Sequence, residues 1–127
     1  LGLLLDTHAL LWWLSDNQRL SHRAADEIGR SPDVRVSAVS FYEIRIKHGR
    51  GQLEMADRLI DNLEGAIDGE GFHGLSLSPG HANRAAALPF HHRDPFDRML
   101  IAQALAEDLT LVSNERLFDA YGVERLW

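Results

Sequence analysis

The chain contains no cysteine, which removes disulfide scaffolds, thiolate-bound zinc ribbons and cysteine nucleophiles together. Proline is scarce, with four in 127 residues, and composition excludes collagen-like, low-complexity and wholly disordered chains. Lysine occurs once, as Lys47. No uncharged apolar run approaches the roughly 18 residues of a membrane-spanning helix, and no basic segment precedes an apolar one. A cytoplasmic location without a signal peptide is therefore expected. Positive charge is also short: 13 Lys and Arg stand against 19 Asp and Glu, for a net charge of −6. That balance argues against a protein that wraps a phosphate backbone over its whole surface.

What is present is ordinary for a globular chain, 45% hydrophobic and 25% charged. Residues 1–127 fit one domain of the usual ~100–200 residues, large enough to bury a core. Leu1–Leu5 is apolar on both faces and reads as a buried strand, followed by Asp6, Thr7 and a helical segment through Leu14. Further helices are expected at Ser21–Ile28, Ser40–His48, Pro79–Leu88 and Asp94–Glu107, with a short one near Glu115–Ala120. Met55, Leu59, Leu63 and Ile67 form one stripe of an amphipathic helix. Strands are expected at Asp33–Ser37, Gly74–Leu77 and Thr110–Val112, with Val123–Trp127 as a closing edge strand. This alternation predicts an α/β fold, a mainly parallel sheet covered on both faces. Ligands bind such sheets beyond the carboxyl ends of the strands, where strand order reverses.

Five acids fall at those strand ends and helix starts: Asp6, Glu43, Asp94, Asp97 and Glu115. Each has a structural explanation. Ser40-x-x-Glu43 reads as a capping box, Asp94-Pro95-Phe96-Asp97 as an N-cap with proline at the first helical position, and Glu115 as an acid at a helix start. Asp6 is the hardest to explain so, because it lies between two apolar segments where an unpaired charge is costly. Taken together, converging carboxylates raise one another's pKa unless a cation sits among them. Oxygen ligands without cysteine suit Mg²⁺ or Mn²⁺, which support phosphodiester hydrolysis.

These residues resemble PIN-domain ribonucleases, specifically the VapC-type toxins of bacterial toxin–antitoxin pairs. The segments carrying the resemblance are Leu3-Leu4-Leu5-Asp6-Thr7-His8, Ser37-Ala38-Val39-Ser40-Phe41-Tyr42-Glu43-Ile44, His91-His92-Arg93-Asp94-Pro95-Phe96-Asp97-Arg98 and Leu111-Val112-Ser113-Asn114-Glu115. The resemblance implies a three-layer α/β/α sandwich with a central, mainly parallel sheet. It also implies Mg²⁺- or Mn²⁺-dependent endoribonuclease activity on RNA, homodimerisation and a cognate antitoxin. By the same resemblance Asp6, Glu43, Asp97 and Glu115 are the metal ligands and Asp94 an assisting acid. The fourth motif departs from the family, which usually has Asp where this chain has Glu115; Asn114 is a candidate to share that role.

Arg45, Lys47, Arg50, Arg93 and Arg98 cluster around the second and third motifs and are candidate RNA contacts, read against a solvated surface as the alternative. Seven histidines are present, but His91 and His92 are adjacent and no i, i+4 His pair gives zinc-ligand spacing. Trp12, Trp13, Phe41, Tyr42 and Met55 read as core or dimer packing. Two other functions compete. A phospho-signalling receiver needs paired acids after the first strand, where Asp6 stands alone. A PIN-like binding module without catalysis is left open by Glu115.

Overall fold

The computed structural model describes residues 2–55 and 57–127; Leu1 of the expected first strand and Ala56 of the expected 55–67 helix lie outside them. The elements in chain order are β1 (Leu3–Leu5), α1 (Thr7–Leu14), α2 (His22–Arg30), β2 (Val34–Ser37), α3 (Ala38–Gly49), α4 (Asp57–Asp61), α5 (Leu63–Gly69), β3 (His73–Leu75), α6 (Pro79–Ala87), α7 (Pro95–Glu107), β4 (Thr110–Val112), a 3₁₀ helix (Arg116–Tyr121) and β5 (Arg125–Leu126). The five strands form one sheet in the order β3-β2-β1-β4-β5. Every pairing is parallel.

The apolar run at the N-terminus occupies the centre because both of its faces can be buried. Leu3 and Leu5 pack with Leu10 of α1, Ile28 of α2, Ile44 of α3 and Ile67 of α5. Leu4 turns to the opposite face and meets Leu100, Ile101 and Ala104 of α7 and Phe118 of the 3₁₀ helix. The period of two along β1 thus divides the core into two layers around the sheet, giving the expected α/β/α sandwich. Among the described residues, no helix is long and apolar enough to cross a membrane.

The expected 55–67 helix is two helices. Asn62 leaves helical geometry, with φ −133° and ψ 45°, and begins α5. Its side-chain amide folds over Gly65, 2.5 Å from where a Cβ on that residue would stand. Of the expected stripe, Leu63 and Ile67 are buried and Met55 and Leu59 only partly so, Ile60 taking the buried place in α4. A second difference bears on the site. Ser37, rather than Ser40, caps α3, its hydroxyl accepting from Val39 N at 3.0 Å. The helix starts earlier than the capping-box reading placed it, and Glu43 is released from any capping duty.

Candidate active site

β1 and β4 are neighbours although 107 residues separate Leu3 from its partner Thr110, and β2 lies on the other side of β1. Strand order therefore reverses between β1 and β4, and Asp6 follows β1 directly into that crevice. The Asp6 amide donates to Val112 O at 3.1 Å. Its carboxylate caps α1, accepting from Ala9 N at 2.8 Å, and hydrogen-bonds the fully buried Ser113 at the end of β4. All of these partners are neutral. Burial accordingly pushes the Asp6 carboxyl up to about 6; the Ser113 and Ala9 hydrogen bonds and the His8 charge oppose this, and the Asp97 charge adds to it.

Asp97 stands in the first turn of α7 because Asp94 caps that helix, its Oδ1 accepting from Phe96 N at 2.8 Å and Asp97 N at 3.1 Å, with Pro95 at the first helical position. Burial raises the Asp97 pKa, the 2.7 Å hydrogen bond with His92 Nε2 lowers it, and the charges of Asp94 and Glu43 raise it again. Asp6, Glu43, Asp94 and Asp97 thus feel one another's charge, directly or through Asp97. Topology has brought together acids that lie far apart in the chain.

Glu43 is buried and bonded at both oxygens. Thr7 Oγ1 donates to its Oε1 at 2.7 Å, and Lys47 Nζ, one turn along α3, donates to Oε2 at 2.5 Å. Thr7 also shares a 3.0 Å contact with Ser40 Oγ, joining the starts of α1 and α3. Glu115 is placed differently. It is exposed and caps the 3₁₀ helix through Leu117 N at 3.1 Å, and its charge is felt by Arg125. Among the described residues, no three His, Cys, Asp or Glu side chains converge closely enough to hold a metal ion. What stands is an acidic set around Asp6 and Asp97, with Asp6 and Glu43 buried, Lys47 paired to Glu43 and His92 to Asp97.

Of the proposed RNA contacts, Arg50 and Arg93 are exposed, and Arg45 is exposed while donating to Ile60 O at 3.1 Å. Arg98 corrects its reading as a surface contact. It is buried, and its guanidinium donates to four carbonyls: Ala85 (2.9 Å), Leu88 (2.8 Å), Pro89 (2.9 Å) and His92 (3.1 Å). Tyr42 is 60% exposed, which removes it from the core and leaves it on the surface of this single chain. His91 and His92 diverge, one ring against Tyr121 and the other against Phe118 and Asp97. Sequence reasoning missed Thr7, Ser113 and His92 as partners of the acids. It also missed the fully buried Gln103, whose Oε1 accepts from Ser37 Oγ at 2.5 Å and ties α7 to the end of β2. The usable signal was position, since Thr7 and Ser113 each stand just beyond a strand end.

A sheet of this order with acids at its switch point is the architecture of PIN domains, and the PIN-domain family model matches residues 3–124. Ribonuclease VapC22 of Mycobacterium tuberculosis is 30% identical over 114 residues, which cover 89% of this chain and 86% of that one. The chain belongs to the PIN-domain family and, within it, to the VapC-type ribonucleases. The fold is similar to that of VapBC2 from Rickettsia felis bound to a promoter DNA fragment, with a TM-score of 0.74 and 13% identity over 99% of this chain and 98% of that one. It is equally similar to DNA-bound VapBC from Salmonella typhimurium, with a TM-score of 0.74 and 18% identity over 99% and 97%. At these identities the structural likeness is one of fold.

Proposed function

We propose that this chain, as a single PIN domain, is the RNA-cleaving toxin of a toxin–antitoxin pair, acting in the cytoplasm as a homodimer with Mg²⁺ or Mn²⁺. The observation that carries the metal is the pair Asp6 and Asp97, two acids driven up by burial, with the Asp97 charge acting on Asp6 and the charges of Asp94 and Glu43 on Asp97. Such a set suits a hard divalent cation, which oxygen ligands hold and which relieves the repulsion. Asp6, Asp97 and Glu43 would hold it, with Glu115 at the rim and Asp94 acting by setting α7. When bound, the cation supplies a water of lowered pKa and neutralises charge at the phosphate.

The chain's own groups do the rest. Ser113 and Ala9 N fix Asp6, His92 fixes Asp97, and Lys47 with Thr7 holds both oxygens of Glu43 in place. Exposed Arg45, Arg50 and Arg93 would steer the RNA backbone, with Lys47 beside them. An antitoxin segment would dock on the groove of about 650 Å³ lined by Phe41, Tyr42, Arg45, Ile60 and Leu63, where exposed Tyr42 offers an anchor. The non-catalytic reading draws on the exposed, capping Glu115. The test is RNA cleavage with Mn²⁺ and with chelator, in the wild type and in Asp6→Asn and Asp97→Asn. Cleavage is expected to need the metal and to drop at least about a hundredfold in each variant with folding retained; metal-independent cleavage overturns the reading.

A further inference from the structure

The segment between α6 and α7, Leu88-Pro89-Phe90-His91-His92-Arg93, has no helix or strand, yet it is held at nearly every residue. Arg98 Nη1 donates to the carbonyls of Pro89 and His92, and Nη2 to those of Ala85 and Leu88. Tyr121 adds two more bonds, its hydroxyl donating to Pro89 O at 2.7 Å and accepting from His92 N at 2.8 Å. On this frame stands Phe90, 75% exposed, with the Arg98 guanidinium 4.1 Å from its ring centroid. One face of the ring is backed by a buried cation and the other is open to solvent. An exposed phenyl ring fixed in this way is not a residue of the core.

We propose that Phe90 is a stacking platform for an RNA base beside the scissile phosphate, a subsite that rests on the ribonuclease reading above. Its place relative to the acids is set by covalent reach. Phe90 and His92 are two residues apart, at most about 7 Å between Cα atoms, and His92 Nε2 lies 2.7 Å from Asp97 Oδ2. The open ring face is therefore tied through a rigid segment to one of the two central acids. A base stacked there orders nothing in the protein, because the platform is already held.

The surroundings favour a nucleotide over a protein partner. Protein anchors sit in apolar, fully desolvated patches, whereas Phe90 is followed by His91, His92 and Arg93, with His91 and Arg93 exposed, and the one acid of the segment, Asp94, is engaged in capping α7. Flat rings interleaved with cationic groups are what single-stranded nucleic acid uses, and base–aromatic stacking tolerates any base because every base has a π face.

The test uses the full-length chain with a single-stranded 12-nucleotide oligoribonucleotide of mixed sequence carrying 2-aminopurine. In an Asp97→Asn background, whose cleavage is expected to be suppressed, Phe90→Ala is expected to weaken binding about tenfold and abolish the quenching of 2-aminopurine fluorescence. Phe90→Trp should restore both, and Phe90→Leu, apolar but not flat, should restore neither. With Asp97 present, kcat/KM should fall about tenfold in Phe90→Ala, carried by KM, while Mn²⁺ affinity by calorimetry stays within about twofold. RNA affinity unchanged in Phe90→Ala overturns the proposal. So does a full rescue by leucine, or an effect confined to oligomeric mass or to binding of a protein. A wild-type chain that binds the oligonucleotide through Phe90 without cutting it overturns the hydrolytic reading and leaves the subsite standing; one that binds none of it overturns both.

Discussion

Asp6 shows how one side chain is kept at a cost to the fold. Its folded pKa of about 6 lies above the unfolded value of 3.8, mainly because of burial. Between those values the native state holds the proton more tightly, so stability falls as pH rises from about 4 to about 6 and stays lower above, by up to about 3 kcal/mol. Asp6→Asn keeps an oxygen that can accept from Ala9 N and carries no charge. Urea denaturation at pH 7.5 with chelator is expected to find it more stable than the wild type by about 1–3 kcal/mol; a less stable variant would show that burial is not the governing cause. Metal binding runs with the opposite sign, because the ligand must be ionised, so Mn²⁺ affinity in the wild type should weaken as pH falls through about 6. The acids themselves were legible from the sequence as polar breaks at the ends of apolar runs. Their hydrogen-bond partners were not, because Ser113 and His92 reach Asp6 and Asp97 only after β4 and the segment before α7 have folded into place.

Among the elements, α7 carries more than its length implies. Its Asp94 cap aims Asp97, its Gln103 binds Ser37 at the end of β2, and its Arg98 holds the preceding segment. Replacing Arg98 by Met leaves four carbonyls without that donor and the Phe90 ring without its backing. The expected loss is at least about 3 kcal/mol by chemical denaturation, against less than about 1 kcal/mol for an exposed base such as Arg93. A loss below about 1 kcal/mol for Arg98→Met would return it to the surface reading. Sequence periodicity found this helix and its cap because Asp-Pro is a strong start signal. It did not separate α4 from α5, since a single Asn62 out of helical geometry leaves the apolar spacing nearly intact. Nor did it distinguish Ser37 from Ser40 as the cap of α3, a shift of three residues that decides whether Glu43 faces the helix end or the site.

At the scale of the whole molecule, a chain of net charge −6 is proposed to handle a polyanion. The three acids proposed to hold the cation account for part of that: without Asp6, Glu43 and Asp97 the balance is 13 − 16 = −3. Part of the acidic charge thus lies where a cation would neutralise it, and RNA attraction is left to a local group of Arg residues. Saturating Mn²⁺ should stabilise the fold by about 2.7 kcal/mol at a hundredfold excess over Kd, raising Tm by several degrees in a thermal melt. Asp97→Asn should lose most of that rise; an equal rise in both proteins would place the metal elsewhere.

The sheet order also governs when the chain becomes dangerous during its own synthesis. The first strand emerges from the ribosome with Asp6, but its neighbour on one side is β4, made more than a hundred residues later. Until Thr110–Val112 has paired, Asp6 lacks both the Val112 carbonyl and the Ser113 hydroxyl that hold it. Pairing over such a separation is slow to form. A growing chain therefore carries every early part of the site without having one, and the site is assembled only once β4 has been made and paired.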